Sequence, residues 1–290
     1  MATLTTSTPD RTAPAAPPPR RRRKGPVAWV REHIIQIVAF FVFVYMLLPN
    51  VIVILFSFNQ PYGKYNYDFV RFSFDAWLHP CAPPGMCDSV VLSLKIGLVA
   101  TIVATIIGTM MAFALARYRF RGRAATNLLI FMPMATPEVV MGSSLPTLFV
   151  GITLPLGAFT IFIAHVMFCI SFVVVTVKAR IAGLDPRLEQ AAMDLYANER
   201  QTFTRITLPL VAPGIAAGAL LAFSLSFDDY IITNFNSSST SITFPLFVWG
   251  AAQKGTPPQL NVVGTVMFLL AFLIVGLGQF IAWRRRRAKA

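Results

Sequence analysis

Apolar residues along the chain collect into six long runs, over residues 33–58, 89–116, 127–150, 157–178, 211–234 and 260–283, with shorter polar stretches between them. A helix rising about 1.5 Å per residue needs about 20 residues to cross a hydrocarbon layer of about 30 Å. Each run meets that length, and a helix satisfies its own backbone hydrogen bonds in lipid. The pattern predicts an all-α integral membrane protein with about six transmembrane helices. Only "GITLPLG" separates the third run from the fourth, and it is short and broken by Gly and Pro, so a single long kinked hairpin is the alternative there.

The longest polar interruption, residues 179–210, lies between the fourth and fifth runs, and its second part reads "LDPRLEQAAMDLYANERQTFTRITLPL". Asp185 followed by Pro186 is a helix start, because proline at the first helical position has no N–H to leave unpaired. Leu184, Leu188, Ala191, Ala192 and Leu195 recur at helical spacing as an apolar stripe, with Arg187, Glu189, Asp194 and Glu199 pointing elsewhere. "ERQTFTRITL" predicts a second short helix, stopped by Pro209 and Pro213. A helix with one apolar face outside the bilayer needs a surface to rest on. The chain's own underside and lipid headgroups are one option, but Ala, Met and Leu with charges of both signs suit docking to a protein better.

Charge then sets the orientation. Seven Lys and Arg precede the first run, four lie in "RYRFRGR", five between Lys178 and Arg205, and five in "RRRRAK" at the end. The opposite side holds only Lys64, Arg71 and Lys254, and Lys95 falls within a run. This asymmetry predicts cytoplasmic N and C termini. The formal net charge of +13 raises nucleic acid as a partner, but the basic residues sit beside the hydrophobic runs without interleaved aromatics, which excludes that class. Residues 1–26, with "APAAPPPRRRRKGP", are expected to be disordered. The first run is too long for a signal-peptide core and lacks a small-residue cleavage site, so it is expected to be retained. Residues 27–283 then form the membrane domain, and 284–290 a basic cytoplasmic tail.

"EQAAMDL" followed by "ITLPL" resembles the EAA motif of the permease subunits of ABC importers. Glu189, Ala191, Ala192, Asp194, Leu195, Ile206, Leu208 and Pro209 match that motif, with Gln190 lengthening its start. The glycine of the motif falls at Tyr196, and if that position needs positive φ a tyrosine costs about 1 kcal/mol or more relative to glycine. "LIFMPMATPEVVMGSSL" and "LLAFSLSFDDYIITNF" look like the third-span and fifth-span segments of the spermidine/putrescine branch. The resemblance implies a type I importer permease fold in a bacterial inner membrane, with Glu189 to Tyr196 as a coupling helix held by an ATPase. It also implies the partners: a second permease subunit, two ATPase subunits, an external substrate-binding protein and the surrounding lipid. No phosphate-cradling GxxxxGK[ST] occurs, so the chain itself needs no cofactor, and ATP and Mg would be bound by the partner ATPase.

Charged groups inside lipid mark candidate substrate sites. Asp228 and Asp229 lie about 26 Å along a helix counted from residue 211, with side chains about 100° apart, so one at most faces a given pathway. Solvation at the outer mouth, or pairing with Lys95, is the alternative role. Glu138 falls about eleven residues into the third run, near mid-membrane, beside Pro133 and Pro137, and is either a cation ligand or a structural group bonded to backbone. Tyr230, Phe227 and Phe235 could meet an ammonium group through their ring faces, packing being the commoner role. His165 and Cys169 lie one turn apart and read as core residues, because two groups do not define a metal site. His33, His79 and His165 are scattered, so no catalytic constellation forms, and the absence of a detectable internal repeat argues against an ion-coupled transporter. In "HPCAPPGMCDS", Cys81 and Cys87 flank a Pro-Pro-Gly turn, leaving a disulfide and two free thiols as alternatives.

Overall fold

A computed structural model describes residues 26–287, so the tail expected to be disordered falls, up to Gly25, outside the described residues. The chain divides at residues 51 and 52 into two units. The first contains most of α1 (Pro26–Phe56), a helix through Pro49 with Ile35, Phe41, Tyr45 and Met46 exposed along it. All other elements belong to the second unit.

There a loop with the short helix α2 (Asp75–Leu78) leads into α3 (Met86–Arg117), followed by α4 (Arg123–Ala135), α5 (Glu138–Gly151) and α6 (Ala158–Ala182). The helices α7 (Arg187–Asp194) and α8 (Glu199–Thr202) come next, then a π-helical turn (Phe203–Thr207) and α9 (Leu208–Asp228). The chain closes with α10 (Ile231–Asn236), α11 (Phe244–Lys254) and α12 (Pro258–Arg287). Among the described residues, five helical stretches are long and apolar enough to cross a membrane: His33–Phe56, Met86–Arg117, Ala158–Ala182, Glu199–Asp228 and Pro258–Gly278. A sixth exists if α4 and α5, bent by 108° at their junction, count as one span.

The core is a bundle of α3, α6 and α9, with Val173, Val174, Val177, Val211 and Ala222 buried among them. Small residues make the close approach possible, since helices in lipid associate by backbone proximity rather than by expelling water. Ala100, Ala104, Gly108 and Ala112 are buried at helical spacing on α3, and a Cβ on Gly108 would lie 2.8 Å from Val173 Cβ. At the opposite edge a Cβ on Gly214 would lie 2.6 Å from Arg180 Cβ, so Gly214 lets the end of α6 cross the start of α9.

Three expectations need correction. The run over 127–150 is not one helix: Thr136 is extended (φ −79°, ψ 132°), as the ring of Pro137 requires of the residue before it. The count that placed Glu138 mid-span therefore no longer applies, and Glu138 opens α5 at the bend. Pro209 and Pro213 do not stop the segment after Asn198, because helix continues from Glu199 to Asp228. The π-turn ahead of Pro209 widens the backbone where the proline ring would otherwise meet a carbonyl one turn back. Finally, the run over 211–234 breaks at Asp229, and α10 leaves on a new axis. The stretch 152–157 is a true turn between α5 and α6, with Thr153 at φ 60°. The helix α12 runs on to Arg287.

The loop between α1 and α3 is ordered around Asn59. Its Nδ2 donates to Asn66 Oδ1 (2.6 Å) and to the Asp68 carbonyl (2.7 Å), while its Oδ1 accepts from Val70 N (2.8 Å). Phe58 stacks on Phe72 and Trp77, and Cys81 is joined to Cys87 by a disulfide with a Cα–Cα distance of 5.4 Å. Closing so short a loop restricts the unfolded chain by roughly 2 kcal/mol. Peptide mapping without reductant is expected to recover Cys81 and Cys87 in one cross-linked fragment. Cys81→Ala with Cys87→Ala is expected to lower the melting temperature by a few degrees, and addition of reductant to that variant to change nothing further.

Candidate functional site

Two places in the second unit combine the predicted residues. The first is the base of α7. Asp185 Oδ1 accepts from Arg187 N (2.9 Å), starting the helix where the sequence placed it. Its motif glutamate turns inward: Glu189 Oε1 accepts from Thr207 Oγ1 (2.6 Å) in the π-turn and from Arg117 Nη2 at the end of α3. Arg117 also lies over the Phe113 ring at 5.9 Å, and Phe113 packs edge-on against Phe203. One carboxylate oxygen thus joins three elements. The Arg117 hydrogen bond holds the Glu189 carboxyl below its ordinary range against the opposing cost of burial, and the Thr207 hydroxyl adds to it.

Of the apolar stripe on α7, only Ala192 is buried and Leu184 half-buried, whereas Leu188, Ala191, Met193 and Leu195 are exposed, as is Asp194. The helix ends in a paired turn: Tyr196 N donates to the Met193 carbonyl (2.9 Å) and Ala197 N to that of Ala192 (3.0 Å). Tyr196 occupies the left-handed position of this turn, at φ 63°, where glycine is the usual residue. Its side chain is 97% exposed.

The second place is the break after α9. Asp229 accepts from Thr233 N and from Thr233 Oγ1, both at 2.7 Å, and from Ile232 N at 3.4 Å, capping the free N–H groups at the start of α10. His165 Nε2 lies 3.3 Å from the same carboxylate, and its Nδ1 is 2.7 Å from Ser226 Oγ. With its side chain only 7% exposed, Asp229 is engaged in capping the start of α10. His165 is a hydrogen-bonded core histidine. Asp228 is exposed, and no ion pair joins it to a basic residue among the described residues, Lys95 included. Lys95 instead lines a cavity of about 460 Å³ with Asp88 and Thr240.

Tyr230 packs against Trp249 of α11, with ring centroids 5.2 Å apart, and Phe227 approaches Phe244 at 6.5 Å. Phe235 fills the space over Gly142, seating α10 on α5. Glu138 is exposed, and among the described residues no hydrogen bond joins it to Asp228, Asp229 or Tyr230. Sequence reasoning missed Arg117, Thr207 and Trp249. Arg117 counted only as a topogenic charge, and its partner is 72 residues away, beyond any local periodicity.

A carboxyl whose folded value is depressed stabilises the fold above its ordinary value, about 4.3, and that contribution is lost as pH falls through the lower folded value. Glu189→Gln is therefore expected to lower the melting temperature of the purified protein by about 2–8 °C at neutral pH. The difference from wild type should persist down to the ordinary glutamate range and vanish only below it. A difference already gone at pH 6 would contradict the Arg117 contact.

Residues 104–287 match the family described as binding-protein-dependent transport system inner membrane component. The chain is 34% identical over 242 residues to the spermidine/putrescine transport system permease protein PotC of Haemophilus influenzae, covering 83% of this chain and 93% of that one. It is 35% identical over 248 residues to the putrescine transport system permease protein PotI of Escherichia coli, covering 83% and 86%. Among solved structures, it superposes on a chain of a bacterial ABC transporter that imports alginate, with a TM-score of 0.63, 16% identity, and 90% and 98% of the two chains covered. A chain of the inward-facing MetNI methionine ABC transporter superposes with a TM-score of 0.55 at 14% identity, covering 68% and 94%. These two likenesses establish the fold. This chain belongs to the family of inner membrane components of binding-protein-dependent transport systems.

Proposed function

We propose that this chain forms half of the translocation pathway of an ATP-driven polyamine importer and is moved by a separate ATPase seated on α7. The observation that carries the reading is the exterior of that helix. Leu188, Met193, Leu195 and Tyr196 are exposed on an element with charges of both signs, while its inner side is tied to α3 and to the π-turn. An apolar end of this kind suits the cleft of a folded protein. ATP and Mg bind to that ATPase, of which two serve the assembly, together with a second permease and an external binding protein that delivers the solute.

The disulfide ties the first turn of α3 to the loop before it and the Arg117 contact ends the helix, so an oxidised loop and the ATPase-facing helix lie at opposite ends of one 32-residue helix. That separation supports an inner-membrane topology with α7 and both termini in the cytoplasm. Relatives named for spermidine and putrescine transport support a polyamine as the solute. So does an exposed carboxylate, Asp228, at a break in a span, two residues before Tyr230, whose ring pairs with Trp249. Alternating access follows: closure of the ATPase pair displaces α7, the helix from Glu199 to Asp228 moves with it, and Asp228, Tyr230 and Glu138 meet the passing cation.

In liposomes holding the intact transporter, Asp228→Asn is expected to raise the KM for spermidine at least about tenfold, the effect of losing one charge-assisted hydrogen bond. Glu138→Gln is expected to change it in the same direction. Wild-type uptake in both variants would remove the carboxylate-lined route. Leu195→Asp, at the exposed residue that caps α7, is expected to abolish recovery of the ATPase with the purified permease, and normal recovery with normal stimulated hydrolysis would remove the docking role of α7.

A further inference from the structure

The contact between Glu189 and Arg117 has no counterpart among the residues singled out by the motif, and its surroundings are unusual. Thr207 closes the same carboxylate from the π-turn, the one wide turn in an otherwise regular helical segment from Glu199 to Asp228. Phe113 supports the guanidinium from below and meets Phe203 edge-on, so the π-turn touches α3 through both polar and aromatic contacts. A cavity of about 820 Å³ opens beside these groups, lined by Met110, Arg117, Met193, Thr202 and Phe203. Such a region is held by contacts on one side and open to the cavity on the other.

We infer that Arg117 is a positioning residue for transport, which with Glu189 and Thr207 forms a transmission joint fixing α7 at once to the second span and to the base of the fifth. The inference rests on the reading of α7 as the helix an ATPase moves. Without the joint, α7 hangs from the chain only by the connections to α6 and α8, and its displacement is absorbed in those turns. With it, one movement reaches α3 and α9 together. The π-turn supplies the place where α9 can tilt without losing its helical hydrogen bonds, a role that wide turns take in other helices. The low Glu189 carboxyl value keeps the joint ionised throughout the physiological range.

The test uses the complete transporter, with its ATPases, second permease and binding protein, in liposomes, and reads spermidine taken up per ATP hydrolysed. Arg117→Gln is expected to lower this ratio about tenfold, within the span of ordinary coupling energies, with the KM for spermidine unchanged. Thr207→Val should lower it as well, and the double variant by less than the product of the two, because both act on one carboxylate. Arg117→Glu combined with Glu189→Arg should recover at least half of the ratio. A wild-type ratio in Arg117→Gln, or two independent losses with no recovery in the exchanged pair, overturns the joint. Should Arg117→Gln fail to assemble, Thr207→Val decides, since it removes only a hydroxyl contact: a lowered ratio supports the joint and an unchanged one overturns it. Failure of the wild-type complex to take up spermidine would instead remove the polyamine reading, and binding-protein-stimulated hydrolysis would then replace uptake as the measure of the joint.

Discussion

A backbone N–H or carbonyl left unpaired in hydrocarbon costs several kcal/mol, so a chain can interrupt a membrane helix only where something else supplies the missing partners. At several interruptions among the described residues, side chains pair with the backbone. At the bend before α5, Thr136 Oγ1 donates back to the Met132 carbonyl (2.7 Å). Around the π-turn, Thr204 Oγ1 donates to Arg200 (2.8 Å) and Arg180 Nε to the Leu210 carbonyl (2.9 Å). After α9, the Asp229 carboxylate takes the N–H groups that start α10, and His165 orients that carboxylate from α6. The end of α10 is closed in turn by Gly157 N and Thr160 Oγ1, both on the Asn236 carbonyl. At these breaks a polar side chain serves first as a partner for backbone.

That division separates two neighbouring carboxylates with the same chemistry. Asp229 is engaged on both oxygens, so replacing it opens the helix start as well as any pathway. Asp228 has no such commitment and sits where α9 ends, where helix carbonyls and the negative end of the dipole also favour a cation. From Thr207 to Asp228 the helix rises about 32 Å without interruption. A shift at the base is therefore delivered to the break as a rigid movement, and the contact of α10 with α5 carries it to the other bent span. The proposed site lies where the fifth span stops being a helix, and below that point the span is continuous helix.

Much of this was legible in the chain. Long apolar runs located the spans, Asp185 and Pro186 located the start of α7, and the EAA-like spacing located the residues that face outward or tie inward. What the sequence hid was where helices break or persist. Proline alone does not decide: Pro137 ends a helix because Thr136 is pushed extended, whereas Pro209 and Pro213 sit inside one because a π-turn precedes them. Nor could periodicity reveal Arg117 or Trp249, whose partners lie far along the chain. A carboxylate pair reads as two equivalent ligands until three-dimensional packing assigns one of them to a cap.

Tyr196 shows how a departure from a motif can be read physically. The turn after α7 keeps both hydrogen bonds that a glycine there would allow, so the geometry of the motif survives the substitution. Holding a tyrosine at φ 63° costs about 1 kcal/mol, and a side chain that is 97% exposed gains nothing within the chain to offset it. The ring instead extends the apolar end formed by Leu195, itself 81% exposed. An aromatic side chain at the tip of a docking helix adds contact area with few rotamers to freeze, which is where tyrosine is favoured in protein interfaces. On the proposed docking of α7, the strain and the exposure have one explanation: the tyrosine lies on the face that meets the partner.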